Sequence, residues 1–477
     1  MICIESILKR LEEQNISPEK LEEVKKAYQI AAEIHKDQYR QSGEPYIIHP
    51  LNVANNLLDM EVYDPNTISA ALLHDTIEDA QIEFTKEDVA SLINPDVAEL
   101  VDGVTKMRRM NFSSNDAHRL ANTRKIINGL TKDVRIILIK LADRLHNMQT
   151  LEFKKREKQK ENALETIELF VPLSLTIGAY QIKNKLEDLS LMYLEPDEFK
   201  RISEQKENLR EQAEEYLREI SLKLEEMLNQ RDIANEIIFR SQTVGSLYKK
   251  IKKGYKLENI YDLFYLKILV DEVENCYRTL CIVHKNNPPI NGRFKDYIYN
   301  PKTNMYQSLH TTVSGREERL TKVKIRTFNM DKVAAFGVPA IWNIPGGKTK
   351  EETQRELREK CQFAKKLIEL DASFRDNEAF IREISRQLLT DHVYPYTHSG
   401  ETIELPAGST VLDFAMQAYP ELVDQMTGIL VNGREVPLNY VIQTADRIQI
   451  LTKGKINQTH FENPYRIPKQ YQKTNGN

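Results

Sequence analysis

The chain has 477 residues, with 67 basic against 71 acidic side chains and a formal charge of −4. That length predicts about two to four domains, each able to bury its own core, and the near balance of charge excludes a global field drawing the chain to nucleic acid. Cys3, Cys276, Cys281 and Cys361 form no zinc spacing and read as reduced thiols, the start MICIESILKRLEEQ lacks the apolar stretch of a signal peptide, and no run approaches a membrane span, so a cytoplasmic protein without a membrane partner is expected.

Residues 1–195 read as almost wholly helical. Apolar spacing such as Leu21, Val24, Tyr28 and Ala31 is broken at Ser17-Pro18, Gly43-Glu44-Pro45 and Asp64-Pro65. Ser17 before Pro18 has the form of an N-cap followed by Pro at the first helical position. Within this region three segments, GEPYIIHP, AALLHDTIEDA and IKLADRLHNM, supply His49, His74-Asp75 and Asp143. Two imidazoles and two carboxylates suffice for one divalent cation, and the nitrogen–oxygen mixture suits a borderline ion such as Mn²⁺. The stretch 74–79 has no Gly or Pro and reads as helix, which would make His74/Glu78 and Asp75/Asp79 neighbours. Glu78-Asp79 is then a spare carboxylate pair able to take a proton from an activated water. Asp143 follows the apolar run VRIILIKLA, where a carboxylate needs a partner. His146, one turn further on, reads as a support rather than a ligand. Together these residues predict a metal-dependent hydrolase.

A charged helical stretch follows at 197–230, with Leu209, Ala213, Tyr216, Leu217, Ile220, Leu224, Met227 and Leu228 on one stripe. From about 236 to 345 the pattern becomes mixed α/β: YDLFYLKILVD and VKIRTF read as strands, SQTVGSLYKKIKKG and CYRTLCIVHK as helices. Residues 346–388 read as a polar, then helical, connector. A third unit at 389–453 holds short strands, and Asn432-Gly433 between two of them is a hairpin signal. Residues 454–477 are Asn/Gln/Lys-rich and read as a frayed tail.

The motifs RQSGEPYIIHP, LLHDTIEDA, LVDGVTK, VRIILIKLADRLHNM, GRFKDYI, NPKTNMYQSLHTTV and ELPAGSTVLDFA closely resemble the RelA/SpoT-homologue family, which makes and breaks the alarmone (p)ppGpp. The resemblance implies a multidomain fold: an all-α HD-type hydrolase domain at 1–195, an α/β nucleotidyltransferase-like synthetase domain at 196–345 and a small β-grasp TGS domain at 389–453. It implies that His49, His74, Asp75 and Asp143 bind Mn²⁺, and that Glu78 and Asp79 assist attack of water on the 3′-diphosphate. Arg40, Ser42, Asn147 and Thr150 fall at positions lining the nucleotide pocket, with Gln41 where a Lys is usual.

The synthetase resemblance is incomplete. Such domains hold Mg²⁺ with an Asp and a Glu; the Asp is Asp262, but the strand usually reading E-V-Q-I-R-T is Lys322-Val323-Lys324-Ile325-Arg326-Thr327 here. An ammonium neither ligates Mg²⁺ nor serves as an anionic base, so Mg²⁺ is not expected at this site. Gln242 also replaces a phosphate-binding Lys, while Arg240, Lys295, Tyr297, Lys302, Asn304, Tyr306, Gln307 and His310 are retained, Tyr306 at the position that stacks on guanine. A guanine nucleotide ligand for this second pocket therefore stays open. AYPELVDQMTG lacks the His-containing helix end of tRNA-sensing members, and the chain stops at Asn477 before their later regulatory domains, so ribosome or tRNA sensing is not expected. The expected activity is (p)ppGpp 3′-pyrophosphohydrolysis with an inactive synthetase domain; a bifunctional synthetase/hydrolase and a nucleotide-sensing, partner-binding regulator are the alternatives.

Overall fold

The computed structural model describes residues 2–77, 84–108, 133–302, 305–315, 319–342, 392–393, 395–401, 403, 405–443 and 446–452. Glu78, Asp79, Asn304, Cys361, the expected connector 346–388 and the tail 454–477 lie outside them. The chain divides into two compact units, Met1–Ile384 and Ser385–Asn477.

The first unit opens with helices Ile4–Glu12, Pro18–Ile34, Ile48–Asp59, Pro65–Leu73, Lys86–Leu92, Pro95–Arg108 and Val134–Gln149. Ser17 is the N-cap before Pro18, although its side chain makes no capping bond. Leu57, Leu72, Ile137 and Leu141 are fully buried or nearly so in one helical core, where truncating a leucine to alanine costs about 2–5 kcal/mol.

Helix ends are organised by Arg135, which is 2% exposed. Its guanidinium donates to Asp96 Oδ2 at 2.7 Å and Asp133 Oδ2 at 2.7 Å, and reaches Asp64 Oδ2 at 3.4 Å. Asp64 and Asp133 are side-chain N-caps of Pro65–Leu73 and Val134–Gln149, and Asp96 stands in the first turn of Pro95–Arg108. Carboxylates at helix N-termini complement the macrodipole. One buried cation thus joins the starts of three helices, two of which carry site residues.

Helices Tyr180–Leu194 and Pro196–Asn229 lead to a five-stranded sheet. Its strands are β1 Asn235–Ser241, β2 Phe264–Val270, β3 Lys295–Asp296, β4 Leu309–Ser314 and β5 Leu320–Thr327, in the order β1-β2-β5-β4-β3, with β2 and β5 parallel. The expected stripe on the long helix packs inward, Leu224 and Leu228 with Ile268, Val323 and Ile325, and Leu217 with Leu247 and Leu266. Because side chains alternate along a strand, the other sheet face receives Lys322, Lys324 and Arg326 of β5. Strand register places Tyr265, Arg240 and His310 beside them.

Near the end of this unit Val338 N donates to Ile177 O at 2.9 Å. Gly337 has φ +68, and a Cβ there would collide with the backbone of residues 177–179. Only glycine accommodates both that conformation and that approach.

The second unit contains β7 Tyr396–Thr397, β9 Met426–Val431, β10 Arg434–Val436 and β11 Arg447–Thr452 in the order β10-β9-β11-β7, together with the helix Val411–Ala418. A second pair, β6 His392–Val393 and β8 Leu405–Pro406, is antiparallel. Asn432 and Gly433 have φ 52 and 80, the doubly positive pattern of a type I′ hairpin turn. No helix among the described residues is long and apolar enough to cross a membrane.

Candidate active site

His49 is the second residue of its helix, Asp143 lies on Val134–Gln149, and His74 caps Pro65–Leu73 with Asp75 next to it. His49 Nε2 is 3.3 Å from Asp143 Oδ1 and 3.5 Å from Asp75 Oδ2; His74 Nε2 is 3.3 Å from Asp75 Oδ2 and 3.9 Å from Asp143 Oδ1. His49, His74 and Asp75 are buried. Three of the four expected ligands, His49, His74 and Asp143, therefore bring ligand atoms within 4.8 Å of one another from three segments, and Asp75 lies beside the two histidines.

The donor set fits a divalent cation. His74 Nδ1 faces the Ala71 carbonyl at 2.8 Å, which can only accept, so the proton sits on Nδ1 and Nε2 presents a lone pair. That Nε2 is buried without a hydrogen-bond partner. An orphaned lone pair beside two carboxylates is unfavourable unless a cation uses it. Burial holds His49 below the ordinary imidazole range. Burial alone would raise Asp143, but its polar neighbours and the charge of Lys140 outweigh it and hold the carboxyl well below its usual range. Both settings favour metal-binding protonation states.

The expected helix through 74–79 is corrected over its described part, 74–77. The helix ends at Leu73, and His74–Ile77 form a turn. Thr76 bonds the Leu73 carbonyl through its backbone N–H at 3.0 Å and its hydroxyl at 2.7 Å. These i−3 bonds replace the i−4 ladder at Thr76; the expected neighbours Glu78 and Asp79 lie outside the described residues.

Two groups around the ligands, Tyr46 and Lys140, escaped the sequence reading, and a third, His146, was expected as a support. Tyr46 donates its hydroxyl to Asp75 Oδ2 at 2.7 Å; its only signal was its place three residues before His49. Lys140 Nζ stands 3.6 Å from Asp143 Oδ2 at an i,i+3 spacing. His146 Nδ1 lies 2.8 Å from His49 Nδ1, giving the expected support a direct contact. Burial, with the nearby His49 and Arg40, pushes His146 down to about 3.

Arg40 and Asn147 meet at the rim: Arg40 Nη2 donates to Asn147 Oδ1 at 2.9 Å, and Asn147 Nδ2 to Asp143 Oδ1 at 2.7 Å. Thr150 donates its hydroxyl to the His146 carbonyl at 3.1 Å. Ser42 is turned to Glu44, 3.2 Å away, in the loop between Tyr39 and Pro45.

On the sheet, Asp262 is buried and doubly engaged: Lys322 Nζ donates to Oδ2 at 2.9 Å and Lys250 Nζ to Oδ1 at 2.6 Å. Burial would raise its carboxyl, and the two ammonium groups reverse this to a lowered value. Gln242 donates to the Asp262 carbonyl at 2.7 Å. Lys324 lies over the Tyr265 ring, 4.2 Å from its centroid. Tyr306 OH is 2.7 Å from His310 Nε2, and its ring meets Tyr297, Tyr180 and the cations Lys302 and Arg326. Lys295 pairs with His310 across β3 and β4, and Arg240 is exposed on β1.

A helical module with a two-histidine, two-aspartate centre, a mixed sheet bearing a cationic face and a small β-rich unit define the class. Models of three families match in that order: the HD domain at 27–179, the region found in RelA / SpoT proteins at 239–349 and the TGS domain at 393–452. The chain belongs to the RelA/SpoT-homologue family. A Myxococcus xanthus protein named GTP pyrophosphokinase is 38% identical over 436 residues, which is 91% of this chain and 57% of that protein. An Aquifex aeolicus protein named guanosine-3′,5′-bis(diphosphate) 3′-pyrophosphohydrolase is 38% identical over 437 residues, 91% of this chain and 61% of the relative. The chain thus spans about 60% of the length of such relatives.

Proposed function

We propose that this protein is a manganese-dependent (p)ppGpp 3′-pyrophosphohydrolase whose synthetase-like domain makes no alarmone. The observation that carries the reading is a contrast between two acidic sites. His49, His74 and Asp143 converge beside Asp75 with a bare buried Nε2, whereas Asp262 already has two lysines as partners. The name of the Aquifex relative supports the choice of substrate.

A divalent ion held by the four residues would supply Lewis-acid charge and acidify water near neutral pH. Tyr46 and Asn147 hold Asp75 and Asp143 in place. Arg40, Ser42, Asn147 and Thr150 line the nucleotide pocket, and Glu78 and Asp79 accept the proton from the attacking water. Cleavage at the 3′-diphosphate yields GDP or GTP and pyrophosphate. The second reading, a bifunctional enzyme, is favoured by the name of the Myxococcus relative. Separate incubations decide between them: ppGpp with Mn²⁺, and GDP with ATP and Mg²⁺. Pyrophosphate release in the first and no product in the second are expected; alarmone formation in the second contradicts the silent synthetase.

A further inference from the structure

We infer that Arg40 and His146 are positioning residues that set the tautomer of His49 and so aim its Nε2 lone pair at the metal centre. The inference rests on the metal-centre reading above and concerns how this chain prepares one of its ligands. Two nitrogens approach His146 Nδ1: Arg40 Nη1 at 3.0 Å and His49 Nδ1 at 2.8 Å. A guanidinium has donors and no acceptor. Arg40 can therefore only donate, and His146 Nδ1 must carry a lone pair. His49 Nδ1, facing the same lone pair, must then carry the proton. In the neutral ring this leaves His49 Nε2 bare, and Nε2 is the atom 3.3 Å from Asp143 Oδ1 and 3.5 Å from Asp75 Oδ2.

The two ligand histidines thus reach the same tautomer by different means. His74 is set by the Ala71 carbonyl, a backbone group that no side-chain substitution removes. His49 is set by a chain of two side chains that begins at the rim. Without Arg40, His146 is free to adopt the other tautomer and donate from Nδ1 to His49. That would move the His49 proton to Nε2, where it blocks coordination. A residue placed by family resemblance in the nucleotide pocket thereby acquires a role in metal binding that needs no nucleotide.

The test uses the full chain, stripped of metal and free of nucleotide. ¹⁵N-histidine NMR should show a protonated Nδ1 and bare Nε2 at His49, and calorimetric titration with Mn²⁺ gives the affinity. Arg40→Ala should weaken Mn²⁺ binding about 10–100-fold, the usual cost of losing a group that orients a metal ligand, and should disturb the His49 tautomer. His146→Gln, whose carbonyl accepts from His49, should retain more affinity than His146→Ala. Asn147→Ala reports the separate route from Arg40 to Asp143: it should weaken Mn²⁺ binding while leaving the His49 tautomer unchanged. A bare Nδ1 at His49 in the wild type, or an unchanged tautomer in Arg40→Ala, overturns the inference. Absence of Mn²⁺ binding in the wild type with the expected tautomer contradicts the metal-centre reading instead.

Discussion

Lys322 donates to Asp262 across 2.9 Å, so the ammonium satisfies the very carboxylate that a catalytic Mg²⁺ would need. Lys250 bonds the other oxygen at 2.6 Å, and both lysines reach a largely buried carboxylate. Asp262 is thus held in an internal ion network. Adding a metal there would require breaking short charge-assisted bonds and placing like charges together.

This arrangement predicts that Lys322→Glu alone restores little synthesis, because Lys250, Lys324 and Gln242 remain. The triple change Lys322→Glu, Lys324→Gln, Gln242→Lys should restore some alarmone formation from GDP and ATP with Mg²⁺. Product measured by chromatography from the wild type at rates comparable to hydrolysis would contradict the assignment.

Lys324 yields a pH prediction. Burial, with Lys322 and Arg326 nearby, pulls it down to about 7 from an ordinary value of 10.5. Between those values the unfolded chain holds the proton and the folded chain does not, so this group's contribution to stability rises with pH across that window. Below about 7 the full penalty of a charged, crowded ammonium is present. Lys324→Met should therefore raise the thermal midpoint more at pH 6 than at pH 10. Equal gains at both would show that charge is not what makes this position unfavourable.

Arg135→Met should destabilise the helical module by about 3 kcal/mol, the lower end for removing one partner of a buried ion network. Asp64, Asp96 and Asp133 would lose their shared cation at three helix starts. Thermal unfolding followed by circular dichroism checks it; an unchanged midpoint would mean solvent already compensates these carboxylates.

Glu78→Gln and Asp79→Asn should retain Mn²⁺ and ppGpp while losing a factor on the order of 10²–10⁴ in turnover, the size of a general-base contribution. Loss of the metal together with activity would make these carboxylates ligands or structural supports.

What could be read in the sequence had local or periodic causes. The stripe from Leu209 to Leu228 follows helical spacing, and Asn432-Gly433 demands positive φ; both appear as read. The convergence of His49, His74 and Asp143 was legible because each is a polar interruption of an apolar run. The end of the helix at Leu73 was not, because its cause is a side-chain bond from Thr76 that propensity does not foresee. Lys250 as the second partner of Asp262 depends on how the helix Val244–Lys252 packs beside the sheet. The role of Arg135 likewise depends on three helix N-termini meeting around it, which its place in an apolar run does not show.

The central claim, metal-dependent hydrolysis at the His49–His74–Asp75–Asp143 centre, is tested most directly by Asp143→Ala. Chelator-stripped wild type and Asp143→Ala should each be incubated with ppGpp, with and without added Mn²⁺, while pyrophosphate is measured. Pyrophosphate release is expected only from the wild type and only with Mn²⁺. Undiminished release by stripped Asp143→Ala would contradict the account.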